Sequence, residues 1–164
     1  MKRSILAVLF CLSIQWLDAQ VFYFEGEWTE IHSPILYTGT FKITITNNSV
    51  VSGELLWTFI VGDSTNTENL SKYAGKKGRM GIEYVSGAYD PSTHDMYFEG
   101  IEKKDPFEII GLDKYHLKFS NDILVLYGKT DSNGKDNGLF YGTRIIPNDG
   151  VKKLELGKKT LTEQ

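Results

Sequence analysis

The sequence predicts an all-β fold, an antiparallel up-and-down β-barrel of about eight strands. Three observations carry this expectation. Apolar and polar residues alternate at period two, turn-forming Asn, Asp, Gly and Pro separate the alternating runs, and glycine recurs inside the runs. Closure into a barrel removes the exposed edges that a meander would leave. Glycines at Gly26, Gly39, Gly53, Gly87, Gly100, Gly128 and Gly142 suit the coiling and close backbone approach of a small barrel. They follow no fixed period, which argues against a solenoid.

The strands follow in order. Phe22 to Ile31 opens the series. From Tyr37, one face carries Gly39, Phe41, Ile43 and Ile45, and the other carries Thr38, Thr40, Lys42, Thr44 and Thr46, the pattern of a half-buried strand. Asn47-Asn48 supplies hairpin chemistry. The return strand places Val51, Gly53, Leu55, Trp57, Phe59 and Val61 on one side, and Leu56 and Ile60 on the other imply that this side is covered as well. Ile82 to Tyr89 and His94 to Glu102 flank Asp90-Pro91-Ser92-Thr93. Lys114 to Ser120 and Ile123 to Lys129 flank Asn121-Asp122, and Leu139 to Ile146 closes the series. Two segments, residues 62–81 and 103–113, are too long for tight turns and are expected at the barrel mouth, with a short helical turn around 68–73. The chain thus reads as a leader at 1–19, a barrel domain at 20–147 and a polar, frayed C-terminal tail at 148–164.

The leader has basic Lys2 and Arg3, an apolar run from Ile5 to Leu17, and small Ala19 before Gln20. This is the pattern of a cleaved signal peptide, so the expected location is secreted or periplasmic. Bulky Phe10 before Cys11 does not suit a lipoprotein signal. Cys11 is the chain's one cysteine, so cleavage leaves no thiol for nucleophilic, redox or disulfide chemistry. No second apolar run approaches the ~20 residues that span a bilayer. With 18 Lys+Arg against 21 Asp+Glu and a net charge of −3, the chain lacks the basic excess of a general nucleic-acid binder.

Gly26-Glu27-Trp28 near the start of the first strand, with Arg144 near the end of the last, resembles the calycin barrels, the group holding lipocalins, fatty-acid-binding proteins and avidins. The resemblance implies a barrel end closed by Trp28, with the Arg144 guanidinium across its indole, and a strand that starts tightly at Gly26. Guanidinium over indole is a favourable cation–π contact that would tie first strand to last.

Candidate chemistry is sparse. His32, His94 and His116 read as surface histidines, since His94 and Asp95 point to opposite faces of a strand and His116 alternates with apolar Tyr115 and Leu117. Glu25, Glu27 and Glu99 read as solvated, and no carboxylate pair is placed inside the barrel. Residues 131–138 hint at a calcium loop, but Lys135 and Asp136 stand where an oxygen ligand and a glycine belong. The basic run Lys72, Lys76, Lys77 and Arg79 reads as a solvated loop, and Asn47-Asn48-Ser49 and Asn69-Leu70-Ser71 match the glycosylation sequon. No metal site, cofactor or nucleophile–base constellation is expected, and the chain does not read as an enzyme.

The aromatic residues are the informative set. Tyr37, Phe41, Trp57, Phe59, Tyr84, Phe98, Tyr115, Tyr127 and Tyr141, together with Phe119, are assigned to the inward face. An eight-stranded barrel either fills its interior or leaves room for one small ligand. The expected function is therefore an exported, lipocalin-like binding protein for a small apolar or amphipathic ligand. The alternative is a solid barrel acting as a protein-binding module or inhibitor through loops 62–81 and 103–113.

Overall fold

The computed structural model describes residues 19–47, 49–62 and 73–163. Residues 1–18 of the leader, the helical turn expected around 68–73 apart from Tyr73, Lys72 of the basic run and Asn69 of the second sequon lie outside the described residues, while Asn47 of the first sequon is exposed.

Eight strands run in chain order: β1 (Gln20–Glu30), β2 (Leu36–Ile45), β3 (Val50–Val61), β4 (Met80–Asp90), β5 (Asp95–Lys104), β6 (Lys114–Phe119), β7 (Val125–Ser132) and β8 (Lys135–Ile145). Each pairs antiparallel with the next, and β8 pairs with β1 to close the barrel. The helix α1 (Pro147–Glu163) follows the last strand. The expected all-β up-and-down barrel is the fold observed.

Period-two alternation sets the inside. In β2 and β3, Tyr37, Phe41, Ile43 and Ile45 and then Val51, Leu55, Trp57 and Phe59 are buried. At the seam Gly26 lies between Gly39 and Gly142 in register. A Cβ on Gly26 would run into the Tyr141 carbonyl, so only glycine allows the strands to approach there. The β7–β8 hairpin turns on Asn133 and Gly134, both with φ in the left-handed region (56° and 79°), as a two-residue turn of matching twist requires. Asp131 accepts the Gly134 amide, so this segment is a tight hairpin rather than an extended loop.

The C-terminal segment, expected to be frayed, is instead helix α1 lying on the outer face of β1–β4. Leu154 is buried against Tyr23, Leu56 and Ile82, and Lys153 and Lys158 pair with Glu25 and Glu54. Gly150 and Gly157 are two turns apart on the docking face, and a Cβ at either would strike Tyr23 or Leu56. Close approach offsets their weak helix propensity. Leu56, expected to be covered, is covered by α1.

Three inward assignments are corrected. Tyr84 joins Tyr23, Leu56 and Ile82 in the outer cluster under α1, while Glu83 and Val85 face inward. Helix cover makes the outer face of β4 apolar, which inverts its apparent polarity. Tyr127 and Tyr141 are 44% and 48% exposed. Inside β7 and β8 the small residues Gly128, Thr130, Gly138 and Gly142 alternate with Leu126 and Phe140 to accommodate Trp28 and Phe24 from β1, so large side chains stand outside.

The closure pair is corrected too. Arg144 lies over the Phe22 ring at 5.0 Å, near the start of β1, and not over Trp28, which is six residues further along. Trp28 pairs with Phe140 in register and meets Tyr37 edge-on at 5.5 Å. First and last strand are tied by an Arg–aromatic contact, but at the end of the barrel opposite Trp28.

Candidate functional site

The two halves of the barrel interior differ. Around Arg144, the rings of Phe22, Phe24 and Phe119 pack at 5.5–5.8 Å among Ile43, Val51, Met96 and Leu126, all buried. The other half, where the β1–β2, β3–β4, β5–β6 and β7–β8 connections gather, holds a cavity of about 640 Å³. This falls within the range of small-molecule sites. Its walls include Trp28, Tyr37, Trp57, Tyr73 and Tyr115, with Ile35, Ile109 and Ile110 above them.

The β5–β6 connection forms a roof held from several sides. The Asp105 carboxylate accepts the Ile109 and Ile110 amides (3.0 and 2.8 Å), which curls the segment back on itself. Tyr37 donates its hydroxyl to the Ile109 carbonyl, and Lys103 donates to the Ile110 carbonyl. Lys76, from the β3–β4 connection, donates to the Glu108 carbonyl (3.1 Å), and Arg79 lies over the Phe107 ring at 4.3 Å. Lys76 and Arg79 of the basic run therefore fold onto the neighbouring roof, while Lys77 is exposed. Tyr73 stacks on Phe59 at 5.0 Å and closes the wall beside them.

Glu83 sits inside this apolar setting and is 1% exposed. Tyr115 donates its hydroxyl to Oε2 (2.5 Å), Trp57 donates Nε1–H to the same oxygen (3.3 Å), and the Asp113 amide donates to Oε1 at a long 3.4 Å. Gly100 on β5 makes the space, since a Cβ there would overlap Oε1. Burial pushes the Glu83 carboxyl up to about 7; the Tyr115 and Trp57 hydrogen bonds oppose the shift, and the neighbouring Asp113 charge adds to it. Burial, reinforced by Glu83, holds the Tyr115 hydroxyl well above its ordinary value.

The polar wall continues from there. Asp113 accepts Asn137 Nδ2–H (3.2 Å), Asn137 Oδ1 accepts the Thr130 hydroxyl (2.6 Å), and Thr130 accepts the Trp28 indole N–H (2.6 Å). Burial raises the Asp113 carboxyl, with Asp131 and Glu30 adding to the rise and Asn137 opposing it. A chain of hydrogen bonds thus links the two indoles, Trp28 and Trp57, through two carboxylates.

Of the ten aromatic residues assigned inward from sequence, Tyr37, Phe41, Trp57, Phe59, Phe98, Tyr115 and Phe119 share the inner cluster. Tyr37, Trp57 and Tyr115 line the cavity; Phe41, Phe59 and Phe98 stand behind it. Glu83, Asp113, Thr130 and Asn137 were not anticipated there. Glu83 and Asp113 also correct the reading that no carboxylate pair lies inside the barrel. Glu27 and Glu99, by contrast, are exposed, and Glu25 pairs with Lys153 outside. His32 and His116 are exposed, with His116 edge-on to Tyr97 on the outer face. Among the described residues no group of three or more His, Cys, Asp or Glu side chains is placed to hold a metal ion, and no helix is long and apolar enough to cross a membrane.

Comparison with known proteins returns no match. Neither a family model, nor a curated protein, nor a solved structure aligns with the chain.

Proposed function

We propose that the protein is an exported binding protein of calycin-like architecture that holds one small amphipathic ligand in the cavity at the roofed end of the barrel. The observation carrying this reading is the contrast between the halves: one end is packed with phenylalanine, while the other holds a cavity of about 640 Å³ between aromatic walls and convergent polar groups. Apolar and polar groups share the lining about equally, the aromatic walls offering contact area and Glu83, Asp113 and Asn137 orienting hydrogen bonds. The leader-like N-terminus supports export.

The test is a neutral amphipathic dye, N-phenyl-1-naphthylamine, whose fluorescence rises in apolar surroundings. The protein should enhance it, and Ile110→Trp, which fills the space beneath the roof, should remove the enhancement. No enhancement, or enhancement indifferent to Ile110→Trp, would contradict the proposal.

A second reading rests on the outer face. Tyr97, Tyr127, Leu139 and Tyr141 stand 44–53% exposed on β5, β7 and β8, and Tyr127 and Tyr141 are direct cross-strand partners. Such a patch suits a protein partner. It moves the alternative function from the loops, whose described residues Lys76, Arg79 and 105–110 are engaged at the roof of the cavity, to the sheet surface.

A further inference from the structure

The cavity combines aromatic walls with a buried carboxylate that has no cationic partner. Glu83 is hydrogen-bonded only by neutral donors, and among the described residues neither Glu83 nor Asp113 joins an ion pair. The two lysines at the cavity are engaged in the roof: Lys103 with Asp105 and the Ile110 carbonyl, Lys76 with the Glu108 carbonyl. Oε1 of Glu83 receives one donor, at 3.4 Å, beyond the usual N–H···O range. Asp113 accepts Asn137 at Oδ1 alone. An anion taken out of water without a counter-charge is costly, and a bound cation relieves that cost while placing donors on the open oxygens.

We propose that the ligand is an organic ammonium ion, an amine with an aromatic or alkyl body, whose N–H donors reach Glu83 Oε1 and Asp113 while its body lies against Trp57, Tyr37 and Trp28. The proposal rests on the cavity-binding reading above and specifies its chemistry. Indole and phenol faces favour a cation as well as an apolar body, so the walls and the carboxylates select the same ligand. An anion of equal size would meet Glu83 and Asp113 directly, with Glu30 also on the wall.

Three probes of one skeleton separate charge from shape: 2-phenylethylamine, 2-phenylethanol and 3-phenylpropanoate, each titrated calorimetrically into the protein at about pH 8, where a carboxyl titrating near 7 is mostly ionised. The amine should bind about tenfold more tightly than the alcohol, and the propanoate more weakly than either. Glu83→Gln should collapse the amine-to-alcohol ratio to near unity. Asp113→Asn should reduce it, and reads the same effect if Glu83→Gln does not fold. Equal affinities, a preference for the propanoate, or an amine preference that survives both substitutions would overturn the proposal. Binding of the neutral dye without any amine preference overturns the ammonium assignment while leaving the cavity reading intact. Failure of the dye as well overturns both.

Discussion

Glu83 makes the stability of this barrel pH-dependent in a direction opposite to that of most paired carboxylates. Its carboxyl titrates near 7 in the fold against 4.5 in an exposed chain, so the folded state holds the proton more tightly. The stabilisation from the protonated form is complete below 4.5 and is lost as the pH rises through 7. The interval of 2.5 pH units corresponds to roughly 3 kcal/mol, at about 1.4 kcal/mol each. For a domain of this size that is roughly 6–12 °C in melting temperature. Asp113 is raised as well and adds in the same sense. Thermal denaturation between about pH 4.5 and 8 should show the wild-type melting temperature falling across this window. Glu83→Gln, which keeps an acceptor for Tyr115 and removes the charge, should flatten most of that fall. A wild-type profile that rises through this window, or a fall of equal size in Glu83→Gln, would refute the reasoning.

Two further outcomes follow from packing. Leu154→Ala should cost roughly 2–5 kcal/mol in urea denaturation, because this side chain joins α1 to Tyr23, Leu56 and Ile82; a loss below the lower bound would mean that α1 contributes little to the barrel. Trp28→Phe keeps the ring but leaves the fully buried Thr130 without its indole donor, and should cost roughly 1–3 kcal/mol in the same assay; an unchanged midpoint would show that the bond contributes nothing.

The alternation of β2 was legible because one face is aromatic or aliphatic and the other Thr and Lys, and that of β3 because its inner face is aromatic or aliphatic while Ser52, Glu54 and Thr58 mark the other. β4 was misread because α1 covers its outer face: Ile82 and Tyr84 look like core, while inward Glu83 looks like surface. A sequence signal for Glu83 existed in the donors Trp57 and Tyr115 and in Gly100, but only the strand register brings them together. β7 and β8 misled for another reason. A barrel receiving Trp28 and Phe24 from β1 needs small residues opposite, so Tyr127 and Tyr141 stand outward. Arg144 was recognised as a partner for an aromatic ring, yet strand tilt and register put Phe22 beneath it. The carboxylate chemistry of the cavity is long-range: Glu83 and Tyr115 are 32 residues apart, and Trp28 and Thr130 are 102 apart. Turn chemistry was local and therefore readable, as Asp90-Pro91-Ser92-Thr93 between β4 and β5 illustrates, with the Asp90 carboxylate accepting the Ser92 amide.

Titration of N-phenyl-1-naphthylamine into isotope-labelled protein, followed by NMR, places the ligand. The indole N–H signals of Trp28 and Trp57 and the amides of Tyr115 and Ile109 should shift, while those of Phe22, Phe24 and Phe119 in the packed half stay fixed. Shifts confined to the outer face around Tyr127 and Tyr141, or to the packed half, would contradict a ligand held in the roofed cavity.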